Sequence, residues 1–95
     1  MLGWRISTEG ALELRSWEDG AVVFNSVSGE TCRVSHLAAE LISLLDGVSG
    51  YTLAQLYRAV SAILPDDMSE EEGCVLIHEA LSRMEAQNLV APVDI

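Results

Sequence analysis

The chain contains no lysine and a single phenylalanine among 95 residues. The lack of lysine rules out a lysine Schiff base and a Walker-type phosphate-binding lysine. All five bases are arginines: Arg5, Arg15, Arg33, Arg58 and Arg83. They face 15 acids, for a net charge of −10. Nucleic-acid binding depends on cations neutralising phosphate, so this balance argues against DNA or RNA as a partner. It argues equally against anionic membrane surfaces. With few aromatics the core must be aliphatic, built from Leu, Val, Ile and Ala. Two cysteines, Cys32 and Cys74, are too few for a disulfide framework, which points to a cytoplasmic chain with reduced thiols. No apolar run approaches the ~20 residues of a membrane-spanning helix. MLGWRISTEG has no basic region followed by an apolar stretch, so it does not read as a signal peptide.

What is present fits one domain over residues 1–95, since 49% of the residues are hydrophobic and the length is near the commonest domain size. So small a chain has little mass for a deep pocket, which favours surface recognition over buried chemistry.

The first third reads as strands. ALELRSW (11–17) alternates around Leu12 and Leu14, and EDG (18–20) signals a turn. AVVFN (21–25) is β-branched and aromatic. SVSG (26–29) supplies the next turn, with Gly29 suited to positive φ. ETCRV (30–34) sets Cys32 and Val34 against Thr31 and Arg33. These three strands with tight connections make an antiparallel meander.

The remainder reads as helices. Ser35 caps a helix to about Leu45, with Leu37, Ala38, Leu41, Leu44 and Leu45 as its apolar face and Asp46-Gly47 as its end. Thr52 and Gln55 form a capping box for a second helix that faces the core with Leu53, Leu56, Tyr57, Val60 and Ile63, and Pro65 closes it. Ser69 and Glu72 form another capping box, and Glu70, Glu71 and Glu72 suit the positive end of the helix dipole. This third helix runs to about Gln87 and stops at Asn88, after which Leu89–Val90 pair briefly or pack on the core. The expected class is α+β and winged-helix-like: a three-stranded antiparallel meander followed by three helices, with helices two and three resembling a helix-turn-helix and the hairpin a wing.

On the third helix Cys74, Ile77, Leu81 and Met84 form one stripe, sufficient to dock it. Leu76 lies roughly 100° from that stripe and Val75 nearly opposite. They read either as ordinary surface apolars or as a groove wall. The strand over 30–34 is last in its meander and has a free edge, shortened and charged by Glu30 and Arg33. Such an edge can take an extended peptide as an added strand.

Chemical signatures are weak. Cys32-x3-His36 and Cys74-x3-His78 are not an established zinc spacing, so buried thiols and surface or capping histidines are the plainer reading. A Cys32–Cys74 redox pair has no nearby base. DDMSEEE (66–72) lacks the alternating oxygen ligands and glycine of a calcium loop. No G-x-S-x-G elbow or phosphate-cradling loop occurs. Trp4 and Trp17 read as anchors or rim aromatics, since no basic groove surrounds them. The chain therefore reads as non-enzymatic, without cofactor or metal.

The stretch WEDGAVVFNSVSGETCRVSHLAAELISLLDG (17–47), followed by TLAQLYRAV and ALSRMEAQNLV, resembles the PqqD-like proteins. More narrowly, it resembles the PqqD-family peptide chaperones found beside kinases related to HPr kinase. The likeness extends over about residues 4–91. Cys32 stands where close relatives often carry His, and NSVSGE is longer than the corresponding connection in the PqqD group proper. The resemblance implies a recognition element for ribosomally made, later modified peptides, in which a leader segment adds to the strand at Thr31, Cys32, Arg33 and Val34 and lies against the third helix. The helical wheel adds Val75, Leu76, Glu79, Ala80 and Arg83 as side-chain contacts. The implied partners are a precursor leader peptide and a modifying enzyme, kinase-like or radical. Two alternatives stand beside this reading. One is a docking module for such an enzyme, monomeric or homodimeric, that touches no leader. The other is a winged-helix transcription regulator, which the charge and the single base on helix three disfavour.

Overall fold

The computed structural model describes residues 2–7, 12–18, 20–26, 29–45 and 50–94. In chain order they form β1 (Leu2–Ile6), β2 (Leu12–Trp17), β3 (Gly20–Asn25), β4 (Glu30–Val34), α1 (His36–Leu44), β5 (Tyr51–Thr52), α2 (Leu53–Val60), a 3-10 turn (Ser61–Ile63), α3 (Glu70–Ala86) and β6 (Val90–Asp94). The class is α+β: two antiparallel three-stranded sheets and three helices.

The expected meander is present as β2-β3-β4. Leu14 faces Val23, which faces Cys32, while Glu13 faces Phe24, which faces Thr31. The first row turns inward, with Val23 fully buried; the second turns outward. This is the period-two division of a sheet with one covered face. Gly29 adopts φ +77°, the left-handed conformation expected for it, and its N–H donates to the Asn25 carbonyl at 2.8 Å.

A second sheet, β5-β1-β6, was not anticipated. Its central strand runs Leu2–Ile6 and pairs along its length with β6, from Leu2↔Asp94 to Ile6↔Val90. Pro92 sits in β6, where the sheet edge tolerates a residue without an N–H. Leu89 and Val90, expected to pair or pack, do both: Leu89 is fully buried and Val90 opens β6.

The helix starts follow their caps. Ser35 Oγ accepts from Ala38 N at 3.1 Å. Thr52 Oγ1 accepts from Gln55 N at 3.2 Å, and Gln55 Oε1 accepts in return from Thr52 N at 2.8 Å. Ser69 and Glu72 complete the same reciprocal pair. Two apolar assignments need correction. Leu44 is 37% exposed, because α1 turns Ala38, Ala39, Leu41, Ile42 and Leu45 inward and leaves the Leu37–Leu44 row on its flank. Ile63 is 46% exposed, because α-helical winding stops at Val60 (φ −106°, ψ 3°) and the 3-10 turn no longer follows the face of α2. The Asp46-Gly47 helix end lies outside the described residues.

One buried cluster draws on both sheets and all three helices, including Trp4, Val23, Leu41, Leu56, Ile77 and Leu81. Trp4 packs edge-on to His78, with ring centroids 6.1 Å apart. Trp17 instead is 57% exposed. On α3 the stripe Ile77, Leu81 and Met84 is buried, Cys74 is half-buried, and Val75 and Leu76 remain outside it as expected.

Candidate functional site: a groove between β4 and α3

β4 stands at the edge of its sheet, with β3 as its one neighbouring strand among the described residues. An antiparallel edge strand directs every second residue's N–H and C=O away from its neighbour. Beyond Val34 the chain turns at Ser35 into α1, and α3 crosses opposite. The space between is a groove of about 370 Å³. Its polar and charged margin includes Arg33, Glu79, Arg83 and Gln87, and Val34, Leu76 and Ala80 supply apolar lining. Val34 and Ala80 are partly buried against the core and give the groove a fixed floor.

A second hollow of about 440 Å³ adjoins it along α3. Leu76 and Glu79 line both, and Met68, Glu71, Glu72 and Val75 complete the second. Val75 and Leu76 are 55% and 37% exposed; Val75 lines the second hollow and Leu76 both, and we call the two adjoining hollows the trough.

Of the nine residues expected at the site, Arg33, Val34, Leu76, Glu79, Ala80 and Arg83 line the first hollow. Val75 lines the second. Thr31 and Cys32 line neither: Thr31 faces outward opposite Phe24, and Cys32 packs on the core opposite Val23. Of these two adjacent residues, one alone directs its backbone N–H and C=O to the free edge. Sequence reasoning missed Ser35, Leu37, Ala38, Met84 and Gln87 in the first hollow and Met68, Glu71 and Glu72 in the second. A partial signal existed, because Gln87 lies one turn beyond Arg83 and Ser35 directly follows the strand.

The thiols of Cys32 and Cys74 are both free and half-buried. Among the described residues, no three His, Cys, Asp or Glu side chains gather as a metal site would require. No helix among them is long and apolar enough to cross a membrane. Comparison with family models, with curated proteins and with solved structures finds no match to this chain.

Proposed function

We propose that the domain is a non-catalytic peptide-binding adaptor. It captures the leader of a ribosomally made precursor as a strand added to β4, and presents it to a modifying enzyme, kinase-like or radical. In this reading α2 and α3 are the helical pair of a winged-helix-like scaffold, and the β3–β4 hairpin is its wing. The observation that carries the reading is the position of the trough: it begins at the end of an edge strand and continues over exposed apolar side chains of α3. Strand addition needs both parts, because backbone pairing gives affinity and hollows for alternate side chains give selectivity.

The first test is an amide NMR titration of the protein with the short peptides encoded beside its gene. Shifts concentrated on Thr31–Val34 and on Leu76, Ala80 and Arg83 are the expected result. Peptides that shift none of these resonances overturn the leader reading.

A second reading has its own observation. Trp17 and Phe24 share the outward face of the β2-β3-β4 sheet and are both exposed. That face suits direct docking of a partner enzyme with no leader involved. Trp17→Ala then weakens capture of the enzyme and leaves peptide binding unchanged.

A further inference from the structure

The two hollows differ in charge. Arg33 and Arg83, two of the chain's five cations, line the hollow at the C-terminal half of α3. Glu71 and Glu72 line the hollow at its N-terminal half, and Glu79 lines both. Glu72 is committed to the capping box with Ser69, which leaves Glu71 and Glu79 as the carboxylates available to a ligand. Between the charged ends lie Val75, Leu76 and Ala80, partly or largely exposed.

We infer that the trough selects a short extended peptide of mixed charge, with an acidic side chain toward Arg33 and Arg83, a basic one toward Glu71 and Glu79, and apolar side chains between. The inference rests on the peptide-adaptor reading and specifies its substrate class. Geometry sets the spacing. From Glu71 to Arg83 an α-helix rises about 18 Å. An extended chain advancing about 3.3 Å per residue covers that distance in about six residues, the even spacing that keeps both charged side chains on one face. Side chains of alternate residues point to one face, so two of the intervening residues face the floor at Leu76 and Ala80. Charge complementarity decides the occupant. A uniformly acidic peptide meets the carboxylates of a strongly acidic domain, and a uniformly basic one places a cation against the arginines. A peptide with both signs at this spacing satisfies both ends.

The probe is a displayed library of random ten-residue peptides, selected on the purified full-length protein. Enriched sequences are expected to pair an acidic with a basic residue six positions apart, with apolar residues between. For one such peptide, Arg83→Glu and Glu71→Lys are each expected to weaken binding about fivefold or more. Reversing the acidic residue of the peptide is expected to restore affinity for Arg83→Glu, a rescue that a merely structural role for Arg83 does not produce. Leu76→Arg is expected to abolish binding of the selected peptides. Peptides lost with Leu76→Arg but lacking the paired charges overturn this inference and leave the adaptor reading standing. A selection that enriches nothing, or only peptides indifferent to Leu76→Arg, overturns both.

Discussion

Asn88 is the one described residue other than glycine with positive φ, at 61°. It follows the C-cap of α3, and its surroundings explain it. The Leu89 N–H donates to the Met84 carbonyl at 2.9 Å and the Asn88 N–H to the Glu85 carbonyl at 3.0 Å, the bond pair of a Schellman ending. Leu89 and Met84 are both buried, which supplies the apolar contact that accompanies this motif. Asn88→Gly is therefore expected to leave stability unchanged or slightly raised, and Asn88→Val to lower it by about 1–2 kcal/mol, read from urea unfolding midpoints. Gly73 has a different constraint. It lies inside α3 where α2 approaches, and an added Cβ would stand 2.6 Å from Tyr57 Cε1 and 3.2 Å from Leu64 Cδ1. Helix propensity favours alanine there by about 1 kcal/mol, but overpacking costs about 1–3 kcal/mol. The ring of Tyr57 is half-buried and held between helices, so the steric cost is expected to win. Gly73→Ala should destabilise the domain by about 1 kcal/mol, and a more stable variant would show that Tyr57 swings aside freely.

At the scale of the element, α3 holds two roles on two faces. Leu81 is fully buried while Leu76, five positions earlier, is 37% exposed in the trough. Truncating a buried leucine costs about 2–5 kcal/mol, and truncating an exposed one costs little. Leu81→Ala is thus expected to unfold at much lower urea than the parent, and Leu76→Ala at nearly the same concentration. The adaptor reading adds that Leu76→Ala loses peptide affinity while keeping the parent's amide spectrum. This division of α3 was legible in the sequence, because helical periodicity separates Ile77, Leu81 and Met84 from Val75 and Leu76 without reference to other elements. The caps at Ser35, Thr52 and Ser69 were legible for the same reason: their hydrogen bonds close within three residues. Strands β1 and β6 were not. LGWRI carries Gly3 beside Trp4, and VAPVD carries Pro92, which lowers any strand reading. Their pairing joins opposite ends of the sequence, and local pattern holds no trace of it. The site divides likewise. Arg83 and Leu76 could be placed on one helix face, but that Val34 and Ser35 close the groove opposite them depends on how α1 carries β4 toward α3.

For the whole molecule, the second sheet is what holds the chain's two ends to the core. β1 contributes the buried Trp4 and Ile6 and lies between β5, only two residues long, and β6. The junction is reinforced where Ser7 N donates to the Leu89 carbonyl at 3.1 Å and Ser7 Oγ donates to the Asn88 carbonyl. The ending of α3, the start of β6 and the end of β1 therefore form one joint. Removing residues 90–95 would take away the full-length partner of β1 and the buried Val90, leaving Trp4 and Ile6 on a strand supported by the short β5 alone. Burial of a valine is worth about 1.5–3 kcal/mol, and fraying of β1 exposes part of two larger side chains as well. Against a total stability of about 5–15 kcal/mol, the expected loss of about 3–5 kcal/mol is a large fraction. The shortened chain should unfold at distinctly lower urea, with earlier exposure of Trp4 in tryptophan fluorescence. The trough is built from β4, the start of α1, Met68 and α3, none of which belongs to this sheet. Peptide binding should thus fall only in proportion to the fraction unfolded, and at low temperature the shortened chain should bind as the parent does. An affinity lost while the shortened chain is still folded would mean that β6 sets the position of α3, and that recognition depends on both sheets.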